Sequence, residues 1–314
     1  MKICATCDGR VKNTANINSV KPFGRTVAGY IVPLNDSDGV RNFLDLNASD
    51  LDAELLGLVN HQDPMKRWYP IRNLKNVAPE QAEDTFATDD TNQRFKTLNG
   101  IKTFNAEVWG VTNTFFAQIE DQCIPFGFVP VDDCGNLKGE VNSDYTEFYP
   151  RLVNDQSYSA RYMDTTASDP AKATFSFDYD LLSTDGTQEM LGFSSFTDIN
   201  PAQLEGMLDV NIDVVSNASS STIEIDMYYN FGAILNKKKF TGADETLFDI
   251  NNVTQGTPIA IDTFTDNGNG SYTIVYVTGD APATTDVVSI DYFDPATGVL
   301  VNGFEGIQET YESA

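Results

Sequence analysis

Basic residues all but vanish from the second half of this chain. Between Ala173 and Ala314 the 314-residue sequence holds three, the adjacent Lys237, Lys238 and Lys239, against 22 Asp and Glu, a net charge of −19. The first 172 residues hold 17 bases and 24 acids, a net of −7. Surfaces this negative repel polyanions, which argues against a protein that grips nucleic acid or an anionic membrane. They suit a protein that nucleic acid passes without sticking. Histidine is scarce as well. His61, in Asn60-His61-Gln62-Asp63-Pro64, is the single one. It reads as an exposed turn, and no Gly-x-Ser-x-Gly elbow accompanies it, so a histidine-based triad is not expected. A Walker loop and Gly-x-Gly-x-x-Gly are missing too. No apolar window approaches 18 residues, so no transmembrane helix is expected. Met1-Lys2-Ile3-Cys4-Ala5-Thr6-Cys7-Asp8 turns polar before an apolar run forms, so the expected place of synthesis and folding is the cytoplasm.

Cysteine is sparse, with four residues: Cys4, Cys7, Cys123 and Cys134. Cys4 and Cys7 form a C-x-x-C pair, and Cys123 and Cys134 flank an apparent hairpin. Four thiolates could make a structural zinc site if the N-terminal segment folded back onto that hairpin. The long gap of the second pair departs from a short knuckle. Reduced, partly buried cysteines are the plainer expectation, and a disulfide is the third. Asp132-Asp133-Cys134-Gly135-Asn136 fails the calcium-loop spacing and reads as a hairpin tip, where Asp starts the turn and Gly-Asn tolerates positive φ. With 46 acids, a catalytic carboxylate pair cannot be picked out by count. No catalytic, cofactor-binding or metal residue is assigned, no cofactor is expected, and the chain is read as not an enzyme.

What is present is strand pattern. Phe175-Ser176-Phe177-Asp178-Tyr179-Asp180-Leu181 alternates apolar and polar, as do Leu208–Val214 and Ile223-Glu224-Ile225-Asp226-Met227. Side chains alternate faces on a strand, so each segment has one buried face and one face rich in carboxylates. That is half-exposed antiparallel sheet. Helices are few. Residues 49–59 form one, with Ser49 as cap and Asp52 at the capping-box position. Residues 112–121 form another, striped by Phe115, Phe116 and Ile119. A short third is expected over residues 201–207. The stretch from Tyr69 to Gly100 is polar without a period and reads as a long loop of functional use. Lys237–Lys239 reads as a solvated edge that deters stray pairing, with a salt bridge to an acidic neighbouring subunit as the sharper alternative.

The expected fold class is mainly β with minor α: an antiparallel sandwich or barrel domain followed by a second sandwich. Asn217-Ala218-Ser219-Ser220-Ser221 is small and polar, as linkers are. It sets the expected domains as an N-terminal arm with one helix (1–65), a β domain (66–215) and a sandwich (222–314). In the last, strands are expected over residues 222–229, 246–250, 258–264, 271–277, 286–292 and 299–304, with Asp266-Asn267-Gly268-Asn269-Gly270 as a hairpin turn.

Gln93 to Gly110, then Gly127-Phe128-Val129-Pro130-Val131-Asp132 and the Gly135-Asn136-Leu137-Lys138-Gly139 turn, resemble the tail tube (major tail) proteins of tailed bacteriophages. Phe175–Leu181 and Leu208–Val214 resemble later strands of the tube sheet. Residues 222–314 resemble the immunoglobulin-like domain that some tail proteins carry, on Phe240-Thr241-Gly242-Ala243, Phe248–Thr254 and Gly270-Ser271-Tyr272-Thr273. The resemblance implies a virion protein, assembled in the host cytoplasm, that forms stacked and commonly hexameric rings. It implies other tail proteins as partners, DNA only in passive transit along an acidic lumen, and no membrane. The 69–100 loop would meet the next ring. The lumen acids are expected from residues 90–215, on the one-sided carboxylates of Leu208–Val214. Rival readings are another virion part, such as a capsid decoration or tail terminator protein, and a cell-surface adhesin or carbohydrate-binding module.

Overall fold

A computed structural model describes residues 23–313 apart from 62, 111–113, 123, 167–169, 181–187, 192–194, 220, 234–235, 293–303 and 308. The protein is mainly β, with several antiparallel sheets and few helices, as expected, and no closed barrel is detected among the described residues. It divides into two compact units, residues 1–59 with 63–205 and residues 60–62 with 206–314.

The first unit is built on an 11-stranded sheet. Its strand Thr26–Pro33 pairs with both Phe126–Asp132 and Tyr69–Ile71. Residues 28–33 are mostly buried, because the sheet is covered on both faces here. Tyr30 and Val32 join one core with Leu55, Leu58, Trp68 and Val131; Ile31, between them, joins another with Phe104, Phe116, Phe128, Phe175 and Phe177. Period-two alternation sends neighbours to opposite cores. Each helix covers one face: Leu51–Val59 contributes Leu55 and Leu58 to the first core, and Thr114–Gln122 contributes Phe116 to the second. Residues 26–59 are thus integral to this unit and not a separate arm. A strand that fills the middle of a two-sided core cannot hang free of it.

Local chemistry corrects four further expectations. The Leu51–Val59 helix is capped by Asp50, whose Oδ1 accepts from the Asp52 and Ala53 amides, and not by Ser49. Asp52 is buried and instead accepts from the amides of Thr197 and Asp198 and the Thr197 hydroxyl. Residues 201–203 form a turn rather than a helix, with the Gln203 amide donating to the Asn200 carbonyl. The 69–100 stretch is no irregular loop: it holds Tyr69–Ile71, Lys75–Gln81 and the two-stranded hairpin Thr85–Thr88 with Arg94–Leu98.

The second unit packs two sheets on one core. One sheet contains Leu208–Ser219, Thr222–Ala233, Ile261–Asp266 and Ser271–Tyr276; the other contains Phe248–Asn252, Val287–Tyr292 and Glu309–Glu312. Ile212, Ile225 and Ile274 from the first meet Ile250, Val288 and Ile290 from the second. The Asp266–Gly270 turn joins two strands as expected, with Gly268 and Gly270 at φ of 80° and 77°, where a side chain is strained. The expected strand over residues 299–304 lies largely outside the described residues.

The boundary falls earlier than the sequence suggested. Leu208–Ser219 pairs along its length with Thr222–Ala233, so it belongs to the second unit. Ser219 is opposite Thr222, so the small polar run is the tip of a hairpin and not a linker. Turns and linkers draw on the same residues. The strand cited for lumen acids therefore lies in the second unit's sheet, and the expected source in residues 90–215 loses that motive.

Candidate assembly surfaces

The hairpin 85–98 is exposed along both strands. Its tip is ordered by Asp89, whose Oδ1 accepts from the Thr91 amide at 2.9 Å, the Thr91 hydroxyl at 2.7 Å and the Gln93 amide at 2.9 Å. Asn92 takes φ of 62°, a left-handed conformation Asn tolerates. Its base is fixed by Asp84, which pairs with Lys96 at 2.6 Å and accepts from the Gly100 amide at 2.8 Å. The Lys96 hydrogen bond, first among the causes, holds the Asp84 carboxyl below its ordinary range. Gly100 is required here, since a Cβ would sit 1.7 Å from the Ala82 carbonyl oxygen.

This ribbon leaves apolar side chains in water. Phe95 is 52% exposed and Leu98 61%, and Phe86 is exposed as well. Register sets Phe95 beside Ala87 on one face and Phe86 beside Lys96 on the other. Arg94 lies 4.6 Å from the Phe86 ring centroid. Neither face rests on a core. An isolated two-stranded hairpin is marginally stable in water, so this one gains from any surface that covers it.

The ribbon grows from the paired strands Lys75–Gln81 and Lys102–Trp109, at the end where Gln81 faces Lys102. A second apolar patch marks the other end of Lys102–Trp109. Met163, Lys172 and Trp109 lie in register on three neighbouring strands, and Trp109 is 47% exposed, with Tyr162 and Met163 also open to solvent. Trp109 is seven steps along the strand from Lys102, roughly 23 Å at the rise of a strand. Between the patches the outer face is polar, and its side chains hydrogen-bond to one another. Glu107 pairs with Lys172 at 3.1 Å and accepts from Asn76 and Trp109; Asp178 accepts from the Thr103 hydroxyl at 2.6 Å.

The acidic strand face is in the second unit. Asp213 and Asp226 are directly opposite each other across two strands, an arrangement that repels. Two of the three lysines answer it from the neighbouring strand Asn236–Lys239. Lys237 pairs with Asp213 at 2.8 Å and lies 3.7 Å from the Tyr228 ring centroid; Tyr228 also donates to Asp213. Lys239 pairs with Asp226, and Lys238 lies over the Tyr229 ring. Desolvation of Asp213 opposes ionisation, but Lys237 and the Tyr228 hydroxyl outweigh it and hold the carboxyl below its ordinary range. The lysines thus serve the sheet they sit on.

The other residues weighed from sequence fall as follows. Asp132–Asn136 is the expected hairpin tip: Asp132 Oδ1 accepts from the Cys134 and Asn136 amides, Oδ2 from Asn136 Nδ2 and the Gly24 amide, and Gly135 has φ of 82°. Asp132, Asp133 and Cys134 bring ligand atoms within 4.8 Å of one another. The site does not suit an ion, because both Asp132 oxygens are engaged by N–H donors and Cys134 is disulfide-bonded. The disulfide also overturns the expectation that this cysteine stays reduced. Cys4, Cys7 and Cys123 lie outside the described residues. His61 is half-buried rather than exposed. An apolar cleft of about 220 Å³ in the first unit, lined by residues including Ile31, Met65, Tyr69, Phe115 and Phe126, has no carboxylate among its described lining residues. No described helix is long and apolar enough to cross a membrane. Sequence reasoning missed the apolar ribbon. Phe86, Phe95 and Leu98 were its signal, three large apolar residues in a segment too polar to bury them.

No family model and no curated protein matches the chain. A solved structure described as that of a type six secretion system protein is similar over 55% of this chain and 99% of its own length, at 14% identity and a TM-score of 0.25. A likeness that slight settles neither fold nor role.

Proposed function

We propose that the chain is a structural subunit that assembles with copies of itself into stacked rings of the tail-tube kind, with no bond made or broken in its work. The observation that carries this reading is the uncovered ribbon 85–98, with a second apolar patch at the far end of the strand it grows from. Two different patches make a head-to-tail contact, which closes into rings or continues as a filament. Each Phe or Leu fully buried on docking contributes roughly 1.5–3 kcal/mol. The net charge of −26 would let DNA cross such a ring without adhering.

The test is sedimentation of the full chain across a concentration series, beside the variant Phe86→Ser, Phe95→Ser, Leu98→Ser. The wild type is expected to form closed oligomers and the variant to stay monomeric with unchanged melting. Equal assembly by both, or a monomeric wild type, contradicts the reading. The disulfide at Cys134 favours a second reading, an exported surface-binding module, because disulfides persist in oxidising surroundings. Tight glycan binding by a monomer would select it.

A further inference from the structure

Cys134 is disulfide-bonded within a single copy of the chain, so its partner is Cys4, Cys7 or Cys123. Chain geometry removes Cys123. The Leu34 amide donates to the Pro125 carbonyl at 2.8 Å, so the ladder of Thr26–Pro33 with Phe126–Asp132 runs on to Pro125. Pro125 and Asp132 are seven steps apart on one extended strand, roughly 23 Å. Two peptide units join Cys123 to Pro125 and two join Asp132 to Cys134, each pair spanning at most about 7.6 Å. Even with both folded back along the strand, about 8 Å would separate the two Cα atoms, beyond the limit of about 7 Å for a bridge. The tip does not fold back. The Gly135 amide donates to the Asp132 carbonyl at 3.0 Å, which turns the chain past the strand end and puts Cys134 at the apex. The start of the described chain lies at this same tip. The Gly24 amide donates to Asp132 Oδ2 at 2.9 Å, the Arg25 carbonyl accepts from the Asp133 amide at 2.9 Å, and a Cβ on Gly24 would sit 2.5 Å from Asp133 Oδ1. Cys7 is 17 steps before Gly24, a reach of roughly 55 Å from a point beside Cys134.

We propose that Cys134 is bonded to one cysteine of the Cys4-Ala5-Thr6-Cys7 pair, so that the start of the chain is stapled to the 132–136 tip. The staple holds for a ring subunit and for a single particle alike. Forming it takes two electrons and two protons from the two thiols; a small-molecule disulfide accepts them and becomes two thiols. The bond is structural rather than exchangeable. Cys134 Sγ and carboxylate oxygens of Asp132 and Asp133 lie within 4.8 Å of one another, so a thiolate departing from Cys134 would meet two negative charges. Thiol–disulfide exchange is slow where the departing thiolate is disfavoured, which keeps the spare cysteine of the C-x-x-C pair from displacing Cys134. The loop closed is long, roughly 130 residues, and a long loop loses the most freedom in the unfolded chain.

In the experiment the full, unreduced chain is unfolded at mildly acidic pH with its free thiols blocked by a maleimide. It is then cut by trypsin and by a protease specific for Asp and Glu, and the fragments are weighed by mass spectrometry. Cuts after Asp121, Asp132 and Asp133 separate Cys123 from Cys134, while Cys4 and Cys7 stay together between Lys2 and Asp8. The expected result is the Cys134 fragment joined to the one that holds Cys4 and Cys7. A join to the Cys123 fragment, or a blocked Cys134, overturns the inference. Melting of variants is the second readout. Cys134→Ser is expected to lower the first unit's transition by roughly 10 °C. The double variant Cys4→Ser, Cys7→Ser is expected to lower it as much, and all three changes together no further, since both remove one bond. A double variant that melts like wild type while Cys134→Ser melts lower also overturns the inference.

Discussion

The two units carry the same net charge by opposite means. Residues 1–59 and 63–205 hold 17 bases and 30 acids; residues 206–314 hold 3 and 16. Each nets −13, but the second does so in little more than half the length. The first disperses its bases and neutralises acids singly, as Lys172 does Glu107 and Lys96 does Asp84. The second concentrates all three bases on one strand, beside the opposed aspartates Asp213 and Asp226; another opposed pair, Asp249 and Asp291, lies in its other sheet. The lesson is that the charge split read along the sequence is not a split between folding units. What differs between the units is where apolar surface is left open: the first extends an apolar ribbon.

The strongest way to break the comparison is in the cores. Phe104 lies 4.8 Å from Phe128 and 5.2 Å from Phe177 between ring centroids. Phe104→Ala is expected to cost about 3–5 kcal/mol in the first unit and to lower one calorimetric transition only. Ile290→Ala, in the second unit's core, is expected to cost about 2–5 kcal/mol and to lower the other transition. A single shared shift in both variants would contradict two independent cores.

A smaller effect sharpens the role of the lysines. Lys237→Met is expected to lower the second unit's melting by roughly 1–2 °C at neutral pH, because the exposed pair is screened. The carboxyl of Asp213 is depressed in the folded state, so its contribution is present above the unfolded value of about 3.9 and lost as pH falls through the lower folded one. The gap between variant and wild type should therefore close under strongly acidic conditions. A gap that persists there would assign Lys237 to packing rather than charge. The smallest effect concerns Cys134: alkylation of the unfolded chain without reductant should leave it unmodified by mass spectrometry, and a labelled Cys134 would contradict the disulfide.

Much of the fold was legible wherever one strand face was buried and the other wet. Phe175-Ser176-Phe177-Asp178 and Ile223-Glu224-Ile225-Asp226 alternate because a core lies on one side only. The ribbon 85–98 defeated the same reasoning because neither face is buried, so no period forms. Thr26–Pro33 hid for the opposite reason: buried on both faces, it shows a continuous apolar run. Asn217–Ser221 misled because hairpin tips and linkers want the same small polar residues. Of the candidate surfaces, the sequence showed a long segment suited to a neighbour but not its apolar side chains in water.

The most direct measurement is electron microscopy of the concentrated, full-length wild type beside the Phe86→Ser, Phe95→Ser, Leu98→Ser variant. The account predicts closed rings or stacked tubes from the wild type and single particles from the variant. Single particles from the wild type at every concentration would contradict it.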